Sequence, residues 1–349
     1  MTKNEMIKWL KEEDQNALKE LYRRAYEVKL KHVGANVYFR GIIEFSNICR
    51  KDCLYCGIRR SNAKYERFQM SKEEIFGSAK QAFEMQYGSI VLQSGERNDP
   101  QFVEFVTDVV KGIKELSGNK LGITLSLGEQ SKETYQRWFD AGAHRYLLRI
   151  ETSNPALYRS LHPVDHDFNE RLNCLTILKG IGYQTGTGVM IGLPGQTLED
   201  LADDILFFKD MNIDMIGMGP YIVHNDTPLG KCVDRDIIAK NFDLGLKMIA
   251  LTRIYLEDVN IAATTALQAL NPEGREMGLQ CGANIIMPNI THTKYRKFYQ
   301  LYENKPCLDE NAGLCRDCLS GRIATIGGSI GFNEWGDPPH FLKKNKFLN

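Results

Sequence analysis

The alternation of strand-like and helix-like segments is the feature that most restricts the fold of this chain. Eight short apolar runs typical of β-structure alternate with amphipathic segments of helical period. The candidate strands are 37–45, 89–94, 121–127, 145–151, 186–192, 215–221, 260–265 and 283–288. The clearest helical pattern runs from Phe102 to Leu116, with apolar residues at i, i+3, i+4 and i+7. Strands separated by helices pair in parallel, and eight of them close a (β/α)8 barrel, so we predict a complete α/β barrel of this kind.

The alternation also predicts how the chain is divided. Residues 1–34 contain one long helical pattern (3–33), residues 35–290 contain the barrel, and residues 291–349 lose the alternation. Further helical patterns lie near 72–86, 131–141, 168–181, 197–211, 237–256 and 273–281. We therefore expect an N-terminal helical segment, a barrel and a C-terminal extension.

Composition excludes some partners. Lys plus Arg and Asp plus Glu both total 44, so nothing in the charge balance indicates nucleic acid or an anionic membrane as a partner. The chain has no apolar run of about 18 residues and its polar start lacks a signal-peptide core. We expect a cytoplasmic protein. Six of the nine cysteines lie in two tight groups, which in a reducing compartment indicates metal rather than disulfides.

The first cysteine group, Cys49, Cys53 and Cys56, follows the first candidate strand in a C-x3-C-x2-C spacing. A cubane iron–sulfur cluster has four ligand positions, so three thiolates leave one iron open to a small molecule. A structural zinc site short of one ligand, or unrelated buried thiols, are the alternatives. Neither His32 nor His144 has a zinc-type spacing to the group. The spacing is also the signature of radical S-adenosylmethionine (SAM) enzymes, in which an aromatic residue, here Tyr55, usually precedes the third cysteine.

Several of the candidate strands have one face of polar or charged residues and one face of apolar residues. In strand 145–151 one face carries Arg145, Leu147, Arg149 and Glu151, while the other is apolar. The same parity places Thr124 with Ser126 and Arg40 with Glu44. The apolar faces should meet the helices, so the polar faces should point inward and line a cavity for a polar or anionic ligand. The alternative is that the charged residues lie at strand ends and are solvated.

Loops after the strands carry the active sites of such barrels. Ser94-Gly95-Glu96 could present carbonyls and a hydroxyl to the ammonium group of an amino acid, and Glu151 could accept from ribose hydroxyls. Arg171 could pair with a carboxylate in two parallel hydrogen bonds. An ordinary loop or surface ion pair is the alternative for each. The glycine-rich stretch 186–195 is not a phosphate-binding loop, and we interpret it as backbone lying against an adenine or the cavity.

A second cysteine group, Cys307, Cys315 and Cys318, lies in the C-terminal extension. A second iron–sulfur cluster, [2Fe–2S] or [4Fe–4S], is our interpretation; zinc and unmetallated thiols are the alternatives. The histidines at 162, 224 and 292 have no metal-type spacing, so we assign them no role.

These motifs resemble the FeFe-hydrogenase maturase HydE family, in the biotin synthase-like subgroup of radical SAM enzymes. The resemblance runs from about residue 35 to 320 and rests on IVLQSGE (90–96), TLSLGE (124–129), RYLLRIET (145–152), NERLNCL (169–175), GLPGQT (192–197), ATTA (263–266), CGANIIMPN (281–289), YRKFYQLY (295–302) and the second cysteine group. The stretch from Tyr221 to Leu229 departs from it by lacking prolines that the resemblance leads us to expect there, although Pro228 is present.

The resemblance implies an enzyme that cleaves SAM at a [4Fe–4S] cluster and uses the resulting radical inside the barrel. It implies a role in assembling the diiron active site of FeFe-hydrogenase, with other maturases and an electron donor as partners and a cysteine-bound iron carbonyl cyanide complex as substrate. By position, Cys49, Cys53 and Cys56 would hold the cluster, Ser94, Glu151 and Arg171 would contact SAM, and Tyr55, Met190 and Met215 would lie near it. Arg40, Thr124, Arg145, Arg149, Thr264, Thr265 and Tyr302 would line the far end of the cavity, where anions bind.

Two other functions remain open at this point. A methylornithine synthase would use the same radical to rearrange lysine, although the second cysteine group and the SGE and SLGE stretches favour the maturase. A non-catalytic iron–sulfur scaffold would carry a cluster to a client and would have no SAM pocket.

Overall fold

The computed structural model describes residues 1–232, 240–309 and 312–346. Within these ranges the strands are β1 (Asn36–Ser46), β2 (Ser89–Ser94), β3 (Gly122–Ser126), β4 (Arg145–Leu147), β5 (Gln184–Thr187), β6 (Met190–Ile191), β7 (Met215–Ile216), β8 (Gly219–Pro220), β9 (Asn260–Ile261), β10 (Ile285–Ile286) and β11 (Ser329–Ile330). Eight of them form one curled parallel sheet in the order β10-β1-β2-β3-β4-β5-β7-β9. The amide of Ala263 donates to the carbonyl of Ile285 at 2.9 Å and that of Asn284 to Ile261 at 2.9 Å, which links β9 to β10.

Helices connect the strands and cover the outside of the sheet. They are α1 (Lys3–Lys11), α2 (Gln15–His32), α3 (Lys72–Glu84), α4 (Pro100–Leu116), α5 (Lys132–Asp140), α6 (Pro155–Leu161), α7 (Phe168–Ile181), α8 (Leu198–Asp210), α9 (Asn241–Leu256), α10 (Thr265–Leu270), α11 (Gly274–Gln280), α12 (Thr293–Arg296), α13 (Ala312–Thr325) and α14 (Pro339–Lys346). Each helix in the described ranges is too short or too polar to cross a membrane.

The prediction of a single helix over 3–33 is wrong, because the helix is interrupted between α1 and α2. Glu12 has extended backbone angles and ends α1, and the side chain of Asp14 accepts from the amide of Ala17 and begins α2. A carboxylate that satisfies a free amide at a helix start stabilises a new helix better than it supports a continuous one. The pattern predicted over 237–256 begins at Asn241, and the part from 237 to 239 lies outside the described residues.

Two predicted strands, 186–192 and 215–221, are each divided into two short strands. The break occurs where Gly188 passes so close to the carbonyl oxygen of Gly217 that a Cβ atom would lie 2.0 Å from it. β6 and β8 then pair only with each other, away from the main sheet. The predicted strand over 145–151 also ends early, at Leu147, and Glu151 rejoins β-structure only through a single bridge to Val189.

The predicted strand faces are confirmed. Ile43 and Phe45 of β1 and Ile123 and Leu125 of β3 are buried in the apolar core between sheet and helices. The alternate positions point inward, where they form a cavity with lining residues that include Ser126, Leu147 and Arg149. Because a strand side chain alternates with period two, each charged residue predicted to face inward shares its face with a residue of this lining.

The end of the chain crosses the amino-terminal ends of the strands, an end of the sheet that we call the floor. β11 pairs in parallel with the start of β1, and the indole of Trp335 donates to the carbonyl of Lys120 at 2.6 Å. Asp258 accepts from His340 Nδ1 at 3.0 Å and pairs with Lys343 at 2.6 Å, which fixes α14. The opposite end, at the carboxyl-terminal ends of the strands, is called the mouth.

Candidate active site

The residues after β1 form a loop, 47–62, that carries the three cysteines of the first group. Arg67 holds this loop from one side, donating to the carbonyl oxygens of Asn47 at 2.7 Å, Ile58 at 2.8 Å and Asn62 at 2.8 Å. One guanidinium that satisfies three carbonyls fixes a loop which has no secondary structure of its own. The cysteine loop is therefore positioned before any ligand binds.

Cys49, Cys53 and Cys56 are part-buried and line one cavity of about 370 Å³ at the mouth. Burial raises the pKa of Cys49 and Cys53, and it raises the pKa of Cys56 to about 12. Such thiols ionise only beside a strongly charged partner, and soft thiolates favour iron or zinc. The amide of Glu96 also points at the Sγ atom of Cys49, 3.3 Å away. Three such thiols bordering one cavity fit a [4Fe–4S] cluster that keeps one iron open.

The loop after β2, Ser94-Gly95-Glu96, lies directly against the cysteine loop. A Cβ atom on Gly95 would be 2.7 Å from Cβ of Cys49, so only glycine allows this approach. The amide of Gly95 donates to the carbonyl of Ser46 at 2.9 Å, and the hydroxyl of Ser94 donates to the carbonyl of Gly95 at 2.7 Å. The predicted SGE segment therefore borders both the cavity and the thiols.

A buried ion network lies behind these two loops. Lys51 Nζ is 2.8 Å from Oε2 of Glu129 and 3.6 Å from Oε1 of Glu96, and Arg171 Nε is 2.6 Å from Oε1 of Glu129. Burial opposes ionisation of Glu129, but Arg171 and Lys51 outweigh it and hold its pKa at about 2. Burial and the charge of Glu129 raise the pKa of Glu96. Arg171, predicted to meet a ligand carboxylate, is thus held by a protein carboxylate while it lines the cavity.

Glu151 is the strained residue of the site. Its φ of 67° lies in the left-handed region, which is unusual for a residue with a side chain. Its backbone continues the sheet, accepting from the amide of Met190 at 3.0 Å, and its side chain accepts from Arg149 Nε at 3.1 Å. Strain of this kind persists where the surrounding structure holds a side chain toward a ligand. Both Glu151 and Met190 line the cavity.

Two histidines lie beside the cysteine loop: His162, to which the sequence assigned no role, and His166, which carried no signal in the sequence. His162 Nδ1 is 2.8 Å from the carbonyl of Tyr158, and its Nε2 is 3.2 Å from the hydroxyl of Tyr55. His166 Nδ1 is 4.0 Å from Sγ of Cys53. Burial lowers the pKa of His162 to about 3 and that of His166 to about 4, so both rings are neutral at physiological pH. Because His162 uses both nitrogens within the protein, it positions Tyr55 rather than binding metal.

A group of polar residues, which we call the polar wall, also lines the cavity. It contains Thr264, Thr265, Arg275 and Tyr302. Arg275 Nη2 donates to the hydroxyl of Thr265 at 3.1 Å, whereas its Nε and Nη1 find no partner among the described residues. Lys305 pairs with Glu44 in the same lining. Arg275 was not predicted, because an arginine in a helical pattern carries no sign that it turns toward a cavity.

The residues predicted for the cluster, for SAM and for the far end of the cavity are divided between two places. Cys49, Cys53, Tyr55, Cys56, Ser94, Arg149, Glu151, Arg171, Met190, Thr264, Thr265 and Tyr302 line the cavity, whereas Arg40, Thr124, Arg145 and Met215 lie outside its lining. These four are buried one layer nearer the floor. There Arg145 pairs with Asp337 of the C-terminal segment, and Met215 Sδ contacts Arg40.

The second cysteine group is only partly described. Cys307 borders the cavity and has a φ of 63°, and Cys318 is exposed on α13. The side chain of Cys315 lies outside the described residues.

The chain is similar in sequence to one family profile and to several known proteins. A family profile described as the radical SAM superfamily matches residues 43–208. The [FeFe] hydrogenase maturase subunit HydE of Thermotoga maritima is 50% identical over 317 residues, which cover 90% of this chain and 88% of that protein. A biotin synthase of Lysinibacillus sphaericus is 29% identical over 57% of this chain and 60% of that protein.

Solved structures share the fold at lower identity. A methylornithine synthase has a TM-score of 0.82 at 24% identity and covers 95% of this chain and 94% of that one. The FeFe-hydrogenase maturase HydG of Carboxydothermus hydrogenoformans has a TM-score of 0.81 at 22% identity and covers 100% of this chain and 80% of that one. At these identities the likeness describes the fold alone.

Proposed function

This chain belongs to the HydE family of [FeFe] hydrogenase maturases, within the radical SAM superfamily, and we propose that it cleaves SAM reductively at a [4Fe–4S] cluster held by Cys49, Cys53 and Cys56. When bound, the cluster would supply the electron that splits SAM into methionine and a 5′-deoxyadenosyl radical. The observation that carries the proposal is the single cavity bordered by the three thiols, Arg171 and Glu151.

We propose that the mouth residues bind the parts of SAM separately. The Ser94 loop would accept from the ammonium group, and Arg171, held in place by Glu129, would pair with the carboxylate. Glu151 would accept from the ribose hydroxyls, since its position is fixed through Arg149 and the bridge to Val189. Tyr55, oriented by its hydrogen bond to His162, and Met190 would flank the remaining part, and Met215 lies in the layer below.

We propose that Arg149 and the polar wall together hold the anionic part of the second substrate. The residues that would contact it are Arg149, Thr264, Thr265 and Tyr302. A cavity of about 370 Å³ is within the range of small-ligand sites. The substrate would be a cysteine-bound iron carbonyl cyanide complex supplied by another maturase, and the radical would act on it as one step in building the diiron site. The bonds between β9 and β10 support a complete (β/α)8 barrel, which would exclude water from this chemistry.

We propose a second iron–sulfur cluster at Cys307, Cys315 and Cys318 that is not needed for SAM cleavage. Support comes from their spacing and from the exposure of Cys318 on α13, although Cys307 borders the cavity that Cys53 also lines. An electron donor would reach the first cluster independently of this trio.

The test uses anaerobically reconstituted, reduced full-length protein mixed with SAM. We expect 5′-deoxyadenosine, with SAM consumed in equal amount, and Cys49→Ser as the matched inactive variant. Absence of 5′-deoxyadenosine from a preparation with a full cluster would leave only the iron–sulfur scaffold. Added lysine distinguishes the other enzyme, because formation of methylornithine would overturn the maturase substrate while retaining the radical chemistry.

A further inference from the structure

Asp204 of α8 is a buried carboxylate that the proposed chemistry does not use. The residue is 0% exposed and is not part of the lining of the mouth cavity. Burial raises the pKa of Asp204 to about 7, although hydrogen bonds from Ser153 lower it. Its Oδ2 atom is buried and finds no partner among the described residues. A carboxylate in such a place destabilises the fold when it is ionised, so packing alone does not explain its presence.

The other oxygen of Asp204 holds one residue of the segment that joins the site to α6. Oδ1 accepts from the backbone amide of Ser153 at 2.6 Å and from the hydroxyl of the same residue at 2.7 Å. The next residue is tied to the same helix, because Asn154 Nδ2 donates to Oδ1 of Asp200 at 2.8 Å. Asp200 and Asp204 are four residues apart and therefore share one face of α8. This face anchors the chain at two successive residues between Glu151 and α6.

Glu151 lies between this anchor and the sheet. On the side of the sheet, its amide donates to the carbonyl of Gly188 at 3.0 Å, and its carbonyl accepts from the amide of Met190 at 3.0 Å. On the other side, two residues further along the chain, Ser153 is held by Asp204. The left-handed φ of 67° at Glu151 persists only while the surrounding structure holds it. Without Asp204, the sheet alone would oppose the relaxation of Glu151.

We propose that Asp204 is a positioning residue for SAM: by holding Ser153, it keeps Glu151 in the left-handed conformation that places its carboxylate at the cavity. The inference rests on the proposed contact between Glu151 and the ribose. Asp204 itself lies outside the cavity lining, so it acts on SAM only through Glu151. Its effect on SAM binding should therefore disappear when the side chain of Glu151 is removed.

A double-mutant cycle on SAM binding tests this inference, because the effects of two residues that act through one another are not additive. The reconstituted full-length protein is titrated with SAM by calorimetry in the absence of reductant, so that no SAM is cleaved. We expect Asp204→Ala to bind SAM about fivefold more weakly than the parent, because two hydrogen bonds to a carboxylate are lost from the turn. In the Glu151→Gly background, Asp204→Ala should change the affinity by less than about twofold.

Asp203→Ala is the matched control, because Asp203 is the neighbouring acid of α8 but pairs with Lys3 at 2.6 Å in a half-exposed position. This variant should bind SAM as the parent does. Parental affinity in Asp204→Ala, an equal loss in Asp203→Ala, or a loss of about fivefold that persists in the Glu151→Gly background would overturn the inference. Absence of SAM binding in the parent would instead contradict the proposed function, which keeps the two failures distinct.

Ser153→Ala covers the case in which Asp204→Ala does not fold. It removes the hydroxyl donor but retains Asp204 and the hydrogen bond from the backbone amide. We expect Ser153→Ala to bind SAM about threefold more weakly than the parent and to cause no further loss in the Glu151→Gly background. Unchanged affinity in Ser153→Ala, or the same loss in both backgrounds, would contradict the role of the anchor.

Discussion

The two ends of the barrel-like sheet both contain buried charges, but they use them differently. At the floor, Arg145 is neutralised by Asp337, and the carbonyl of Trp335 accepts a further hydrogen bond from the same guanidinium. At the mouth, Glu129 fixes Arg171 and Lys51 from behind, while these groups still border a cavity. Backbone strain at Glu151 and an arginine with unsatisfied donors, Arg275, lie at the mouth as well.

This difference shows that one fold can use buried charges for stability at one end and for ligand binding at the other. A buried ion pair that is complete within the protein holds a structure in place, whereas charges left facing a cavity bind ligands. Inward-facing polar residues are therefore not equivalent merely because they share a strand face. Arg145 and Arg149 lie on the same face of one segment, yet one pairs with the C-terminal segment and the other lines the cavity.

The largest expected effect concerns the cysteine loop. We expect Cys53→Ser to abolish SAM cleavage, because a cluster that loses one of three protein thiolates is not held with one open iron. Cys315→Ser and Cys318→Ser should leave cleavage largely intact, since neither cysteine belongs to the C-x3-C-x2-C loop and Cys318 is exposed on α13. Production of 5′-deoxyadenosine, normalised to iron content, measures both. Loss of cleavage in the second pair would show that the two cysteine groups act together.

The next effect is on stability at the floor. Asp337→Ala leaves Arg145 buried without its counter-ion, and we expect a loss of about 3 kcal/mol in the free energy of unfolding. Urea unfolding of the full-length protein measures it. Replacing the exposed Arg23, which pairs with Glu20 and Glu27 on α2, by Met should cost much less, because solvent screens an exposed ion pair. Similar losses in the two variants would remove the distinction between buried and exposed pairs.

Acid should lower the free energy of unfolding, because it protonates Glu129 in the ion network at the mouth. Its pKa is lowered by folding from 4.5 to about 2. The stabilisation is therefore fully present above about pH 4.5 and is lost as the pH falls toward 2, by up to about 3 kcal/mol. The loss begins between about pH 5 and about pH 3. In this range the free energy of unfolding of Glu129→Gln should fall less steeply with decreasing pH than that of the parent. Identical slopes would show that the ion network contributes nothing to folding.

The smallest expected effect separates strain from function at Glu151. Glu151→Gly should raise the free energy of unfolding by up to about 1 kcal/mol, because glycine adopts the left-handed region without strain. The same variant should bind SAM about tenfold more weakly, since a charged hydrogen-bond acceptor is removed. Glu257, with a φ of 53° at the end of α9, is the matched control: Glu257→Gly should gain stability without loss of SAM affinity. Unchanged SAM binding in Glu151→Gly would remove Glu151 from the site.

Many of the residues that line the mouth cavity could be predicted from the sequence, because they lie in short local motifs. The three cysteines lie within eight residues of one loop, Ser94-Gly95-Glu96 stands at the end of a strand, and period two correctly placed Arg149 on the inner face. The strand β2 was predicted over its full range, 89–94, since an apolar run bounded by loop residues is a local signal.

Long-range pairing could not be read from the sequence. Arg145 and Asp337 are 192 residues apart, and no periodicity records that a polar C-terminal stretch returns to the first strand. The pairing of Arg171 with Glu129 and the approach of His166 to Cys53 likewise depend on how loops from different units pack. The missed break between α1 and α2 is different in kind: Asp14 was visible as a helix-start signal within an otherwise continuous pattern.

The most direct test of the central claim is to locate the ligand itself. We would determine the crystal structure of the reconstituted protein bound to the selenium analogue of SAM and record anomalous scattering at the selenium edge. The account predicts one selenium peak inside the mouth cavity, beside the Cys49, Cys53 and Cys56 cluster and within reach of Arg171. A peak at the floor near Arg145, or full occupancy of the cluster without any selenium in the cavity, would contradict it.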